Sequence, residues 1–110
     1  MKILLTLIMA IYSAISHSET ISNRCVSSSG MSTYEFSFDT YQDKGTIRYK
    51  YMGQDITYEV FILEKNKSKI KGKAFFKKSN TGEVRGSSFN FTYDRNSRIF
   101  EENGLKASCR

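Results

Sequence analysis

The chain has 110 residues and a net charge of +6, with one histidine, two cysteines and neither proline nor tryptophan. That length holds a single small domain. The charge favours solubility and attraction to anionic partners, and it leaves the fold open.

The first segment reads as targeting sequence. Met1-Lys2 give a positive start, and Ile3 to Ile15 are almost wholly apolar. Small residues follow at Ala14, Ser16 and Ser18. This is the layout of a secretory signal peptide, and the apolar run is too short for a transmembrane span. Residues 1–18 are the expected signal segment, with cleavage after Ser16 or Ser18, and residues 19–110 are the expected domain. Removal of Lys2 lowers the net charge from +6 to +5. The expected location is secreted or periplasmic.

The domain then reads as strands joined by turns. Thr20 to Ser27 form a short first strand that carries Cys25, followed by the loop Ser27-Ser28-Ser29-Gly30. Tyr34, Phe36 and Phe38 alternate with Glu35, Ser37 and Asp39. That period of two marks a half-buried strand. After the turn Gln42-Asp43-Lys44-Gly45, Ile47, Tyr49 and Tyr51 alternate with Thr46, Arg48 and Lys50. Gly53-Gln54-Asp55 is the next expected turn. Ile56, Tyr58, Val60 and Ile62 then lie on one face, with Thr57, Glu59, Phe61 and Leu63 on the other.

Lysines recur at 65, 67, 69, 71 and 73, and again at 77 and 78, while Ile70, Gly72, Ala74 and Phe76 fill the opposite parity. This is a strand with one cationic and one small or apolar face. Phe89, Phe91 and Tyr93 mark another strand. Two short strands flank Asn103-Gly104, a type I′ hairpin signal.

Cross-strand parity permits one continuous apolar face. It is obtained with Tyr51 opposite Ile56, Ile62 opposite Ile70, and Gly72 opposite Phe89, which sets Glu59 between Arg48 and Lys73. The expected fold is all-β: an antiparallel meander of about seven or eight strands. It closes into a small barrel or folds as a compact sandwich. Cys25 and Cys109 lie near the two ends of the domain and form the expected disulfide. On the chain-entropy description, closing that loop disfavours the unfolded state by about 4–5 kcal/mol.

The chemistry is defined mainly by exclusion. The one histidine, His17, falls in the signal segment. With both cysteines paired, Ser-His-Asp and Cys-His catalysis and the common zinc sites are excluded. No phosphate-binding glycine loop or EF-hand pattern occurs. The carboxylates, Glu101 and Glu102 among them, lie at turns or on polar faces and read as solvated. The expected protein is therefore not an enzyme, and it uses neither metal nor cofactor.

Two surface readings remain. Phe61, Leu63 and Phe75 share the parity of Lys71, Lys73 and Lys77. If that face meets solvent, they form an apolar patch rimmed by lysines, a composition suited to a protein interface. If it packs on a second layer, they are core. The lysine run of Lys65 to Lys78 is either a solvated, edge-guarding face or an electrostatic site for an anionic glycan or lipid surface. Nucleic acid is the less available partner for an exported protein. In layout the chain resembles the small periplasmic lysozyme inhibitors, exported barrels of this size with an early and a late cysteine. The inhibitory loop of that family, with its Ser-Gly and Arg-Tyr elements, has no counterpart, since Ile47-Arg48-Tyr49 lies in a strand without a preceding Ser-Gly. The resemblance implies an exported module that binds a protein partner in an inhibitor- or immunity-like way, and it implies no particular target.

Overall fold

The computed structural model of the protein describes residues 19–82 and 85–110; the expected signal segment lies outside them. The strands are β1 (Thr20–Ser27), β2 (Ser32–Asp39), β3 (Lys44–Tyr51), β4 (Gln54–Lys65), β5 (Lys69–Ser79), β6 (Phe89–Asp94), β7 (Ile99–Glu102) and β8 (Leu105–Cys109). Each pairs with the next, and β8 returns to β1, so the eight described strands close into an antiparallel barrel. Of the two expected architectures the barrel is the one adopted. Closure leaves no strand edge unpaired.

The barrel is filled by side chains, and its inner face alternates large with small. Phe38 lies opposite Gly45, Phe91 opposite Gly72, Phe89 opposite Ala74, and Phe100 opposite Ala107. A phenylalanine ring thus leans over a partner that has almost no side chain. This is how a narrow barrel accommodates several aromatic rings at interior packing density. The rings contact one another across the interior, with centroids 4.4 Å apart for Phe36 and Phe38, 5.2 Å for Phe38 and Phe91, and 5.6 Å for Phe91 and Phe100. Phe38, Phe100, Ile47, Ile70 and Val60 are fully enclosed.

The seam between β1 and β8 is the shortest part of the barrel wall. Three residue pairs make it: Cys25 with Cys109, Val26 with Ser108, and Ser27 with Ala107. The Cys25–Cys109 disulfide crosses that seam directly. It joins residues 84 apart in sequence where backbone pairing is thinnest.

The inner-face parity holds except beyond two irregularities of the β4–β5 ladder, where Lys65 lies opposite Ile70 and Ile56 opposite Ser79, while the register differs from the expected one by one even step in several ladders. Tyr49, rather than Tyr51, lies opposite Ile56; Gly72, rather than Ile70, lies opposite Ile62; and Phe91, rather than Phe89, lies opposite Gly72. The cause is local. The β3–β4 turn is Met52-Gly53, not Gly53-Gln54-Asp55, with both residues at positive φ (46° and 80°). Two left-handed residues in succession make a two-residue I′ turn, which pairs Tyr51 with Gln54. Across the two ladders Glu59 faces Thr46 and Phe75 instead of two cations. Asn103-Gly104 adopts the expected I′ geometry, with φ of 49° and 82°.

The two ends of the barrel differ. At one end the β2–β3, β4–β5 and β6–β7 loops are laced to each other and to the start of β1. The Arg95 amide donates to the Ser68 carbonyl (2.8 Å), the Thr40 amide to the Glu19 carbonyl (3.1 Å), and the Arg95 guanidinium pairs with the Glu19 carboxylate (3.0 Å). Lys65 bridges Asp43 at 2.7 Å and the Thr40 carbonyl. At the opposite end the β1–β2 and β7–β8 turns stand apart around an open depression of about 540 Å³.

Candidate functional site

The first candidate is the outer wall of β4 and β5. Because the barrel is closed and filled from within, the outward parity of these strands faces solvent. Phe61, Phe75 and Leu63 are therefore surface residues, 36%, 39% and 73% exposed. The alternative that they pack beneath a second layer does not hold among the described residues. Phe61 and Phe75 meet edge to face with ring centroids 5.7 Å apart. Lys73 reaches over the Phe75 ring, its Nζ 5.4 Å from the centroid, and its stem covers apolar surface while its charge stays wet. In register, Phe61 is flanked by Lys44 on β3 and Lys73 on β5, so cations border the aromatic pair on both sides.

Two register shifts shape this wall. One lies between Ile62 and Glu64 and leaves Leu63 without a cross-strand partner. Leu63 has the outward parity of Phe61 and is the most exposed of the three apolar residues. The other lies between Thr57 and Tyr58, opposite Lys78 and Phe76, and leaves Lys77 unpaired and exposed. Lys71 forms a wide ion pair with Glu64 at 3.8 Å. Phe61, Phe75 and Lys73 are thus brought together, Leu63 adjoins them at the bulge, and Lys71 and Lys77 border the patch. The lysine run is not one continuous face, because Lys65 ends β4 and Lys67 lies in the β4–β5 turn. The stripe on β5 itself begins at Lys69.

The second candidate is the open mouth, whose tyrosines read from the sequence as core and whose serines read as loop. Its lining includes Ser27, Ser29, Met31, Tyr34, Tyr49 and Tyr51. Beside it Tyr34 donates its hydroxyl to Glu102 Oε1 at 3.0 Å. Tyr34 and Tyr49 lie 5.0 Å apart with planes tilted by 40°, and Tyr49 and Tyr51 are nearly parallel at 6.3 Å. Burial raises the Glu102 carboxyl above its ordinary value, against the opposing hydrogen bond from Tyr34. Burial, together with the Glu102 charge, likewise raises the Tyr34 and Tyr58 hydroxyls. One signal in the sequence pointed here: Glu102 has the parity of the inward Phe100, two residues on, just before the Asn103-Gly104 turn.

Outside the mouth, at the start of β4, Asp55 collects a separate set of polar contacts. Its carboxylate takes a two-pronged contact from Arg48, including Nε to Oδ1 at 2.8 Å, and accepts from Asn80 at 3.1 Å. Hydrogen bonds from Arg48 hold the Asp55 carboxyl down at about 2.

Comparison with protein-family models, curated proteins and solved structures found no match.

Proposed function

We propose that this protein is an exported binding module that recognises a protein partner in the periplasm or outside the cell, as an inhibitor or immunity-like factor does. One observation carries the proposal: two phenylalanines pack against each other on the solvent side of a barrel that is already filled from within. They add nothing to the protein's own core. Exposed aromatic residues ringed by cations have the make-up of an interface centre and rim. Leu63, exposed at the irregularity beside them, adds a further apolar contact. The surrounding lysines speed encounter with an acidic partner more than they add to affinity. The disulfide is consistent with an oxidising compartment.

Photocrosslinking tests this reading. A benzophenone amino acid placed at Leu63 in the native host should yield one dominant protein adduct. The same group at Tyr41, exposed at the laced end of the barrel, should yield none. No adduct at position 63, or the same adduct from both positions, would overturn it.

A further inference from the structure

We propose that Asn66, in the β4–β5 turn, is an N-glycosylation site, modified on the folded protein by an oligosaccharyltransferase of the bacterial class. The inference rests on the export expected of the chain, and not on the partner proposed for the β4–β5 wall.

The chain holds two Asn-X-Ser/Thr triplets, Asn66-Lys67-Ser68 and Asn90-Phe91-Thr92. Such a triplet alone is a weak signal, and two observations separate the pair. The first lies in the sequence. Bacterial oligosaccharyltransferases of this class require, besides the triplet, an acidic residue two places before the acceptor, which a cation of the enzyme binds. Glu64 holds that place before Asn66, whereas Ser88 holds it before Asn90. Glu64 is exposed and its ion pair with Lys71 is wide, at 3.8 Å, so the carboxylate is open to a second cation.

The second observation is the backbone. A protein modified after export meets the enzyme folded, and the enzyme must draw the triplet out of the surface to hold its amide and its hydroxyl together. Asn90 lies within β6, opposite Lys73. Phe91 is buried in the core, and Thr92 is paired with Lys71 on one side and Glu101 on the other. Extracting this triplet would break the barrel wall and expose Phe91. Asn66, Lys67 and Ser68 instead make up the whole connection between β4 and β5, and Asn66 and Lys67 are exposed. Their release costs the backbone contacts of one surface turn. These are the Asn66 amide to the Lys69 carbonyl (2.9 Å), the Arg95 guanidinium to the Asn66 carbonyl (3.3 Å) and the Arg95 amide to the Ser68 carbonyl (2.8 Å).

The turn also prepares the acceptor. Asn66 Oδ1 accepts from the Ser68 amide, the Ser68 hydroxyl and the Lys69 amide, each at 2.8 Å. This is an Asx turn. Nδ2 makes no hydrogen bond among the described residues, so the nitrogen that must react is the free end of the side chain. Three donors on Oδ1 draw electron density from the amide, which eases loss of an N–H proton. The co-substrate is a polyprenyl-pyrophosphate-linked oligosaccharide. A bond forms between Asn66 Nδ2 and the anomeric carbon of the sugar. The bond from that carbon to the pyrophosphate oxygen breaks, the pyrophosphate leaves with the electron pair, and the amide gives up one proton. The glycan then stands at the laced end of the barrel, away from the open mouth.

The test has two arms. In the first, the disulfide-bonded protein is incubated with a purified bacterial oligosaccharyltransferase and its lipid-linked oligosaccharide, and read by intact mass. Wild type and Asn90→Gln should each gain the mass of one glycan. Asn66→Asp, which keeps an acceptor oxygen for the turn and removes the amide, should gain none. Glu64→Gln leaves the turn contacts in place, so its loss of modification reports recognition and not folding. In the second arm, protein from the envelope and medium of the native host is peptide-mapped, and a glycan should be found on Asn66. Unmodified wild type in either arm, a glycan on Asn90, or full modification of Glu64→Gln would overturn the site. Protein found only in the cytoplasm would refute export and modification in the cell together, and the purified reaction would still judge the acceptor by itself.

Discussion

Removing the Cys25–Cys109 bond should do two things at once, because of where the bond sits. It closes a loop of 84 residues, and the chain-entropy relation assigns such a loop about 4–5 kcal/mol of bias against the unfolded chain. A domain of this size has about 5–15 kcal/mol in total, so the loss is a large share of what holds it folded. Its location adds a local effect: without the bond, β1 and β8 are held by three residue pairs and the hydrogen bond from the Arg110 amide to the Arg24 carbonyl. The test compares wild type, wild type under reducing conditions, and Cys25→Ala/Cys109→Ala by urea unfolding. The midpoint should fall by roughly 2–4 M, given ordinary urea slopes for small domains. Hydrogen exchange on whatever fraction stays folded should show β1 and β8 losing protection first, with the long β4–β5 ladder last. A loss below about 1 kcal/mol, or earliest opening in β4–β5, would refute the account of the seam.

Three further outcomes follow from particular contacts. Gly72→Ala should destabilise by about 1–2 kcal/mol and lower Tm by roughly 5–10 °C, because an added Cβ would meet the Phe61 carbonyl oxygen at 2.5 Å and the Phe91 ring at 2.8 Å. That crowding outweighs the gain of about 0.4–1 kcal/mol from removing a flexible residue, and Phe91→Leu in the same chain should recover part of the loss. Calorimetry of the three proteins checks both statements. Stability should decline as pH rises from about 4.3 through the raised Glu102 titration, because the folded state keeps that proton longer than the unfolded chain does. Glu102→Gln should flatten that limb in a pH series of melts. Asp55 acts with the opposite sign. Its folded value lies near 2, so its contribution is present above about pH 4 and is lost as pH falls toward 2. In Asp55→Asn the acid side of the same profile should be shallower.

The sequence was most legible where one face is buried. Alternation alone placed Phe36, Phe38, Ile47, Val60, Ile70 and Phe91 inside, and all of them are. Parity has a period of two, and a barrel interior enforces it strictly. Register was harder to read, because it depends on turn geometry at single residues. Met52 has no sequence signature of a left-handed residue, yet its positive φ shortens the β3–β4 turn. The two shifts on β4–β5 were also invisible to a strict alternation, although they leave Leu63 and Lys77 without cross-strand partners. The outward aromatic pair was visible as an anomaly of parity, and barrel closure decided which of its two readings applied. The mouth was missed because its tyrosines share the core's parity and differ from it only in lying near a strand end. No pattern in the chain says that Tyr34 and Glu102, 68 residues apart, meet across the barrel.

The most direct test of the binding account is capture of an envelope and medium extract from the native host on immobilised wild type and on folded Phe61→Asp/Phe75→Asp, at low and high salt. The account predicts a protein held by wild type at high salt and absent from the double variant, because an apolar-centred contact resists screening. Capture that disappears with salt and is indifferent to the two substitutions would contradict it and would place binding on the lysines of β5.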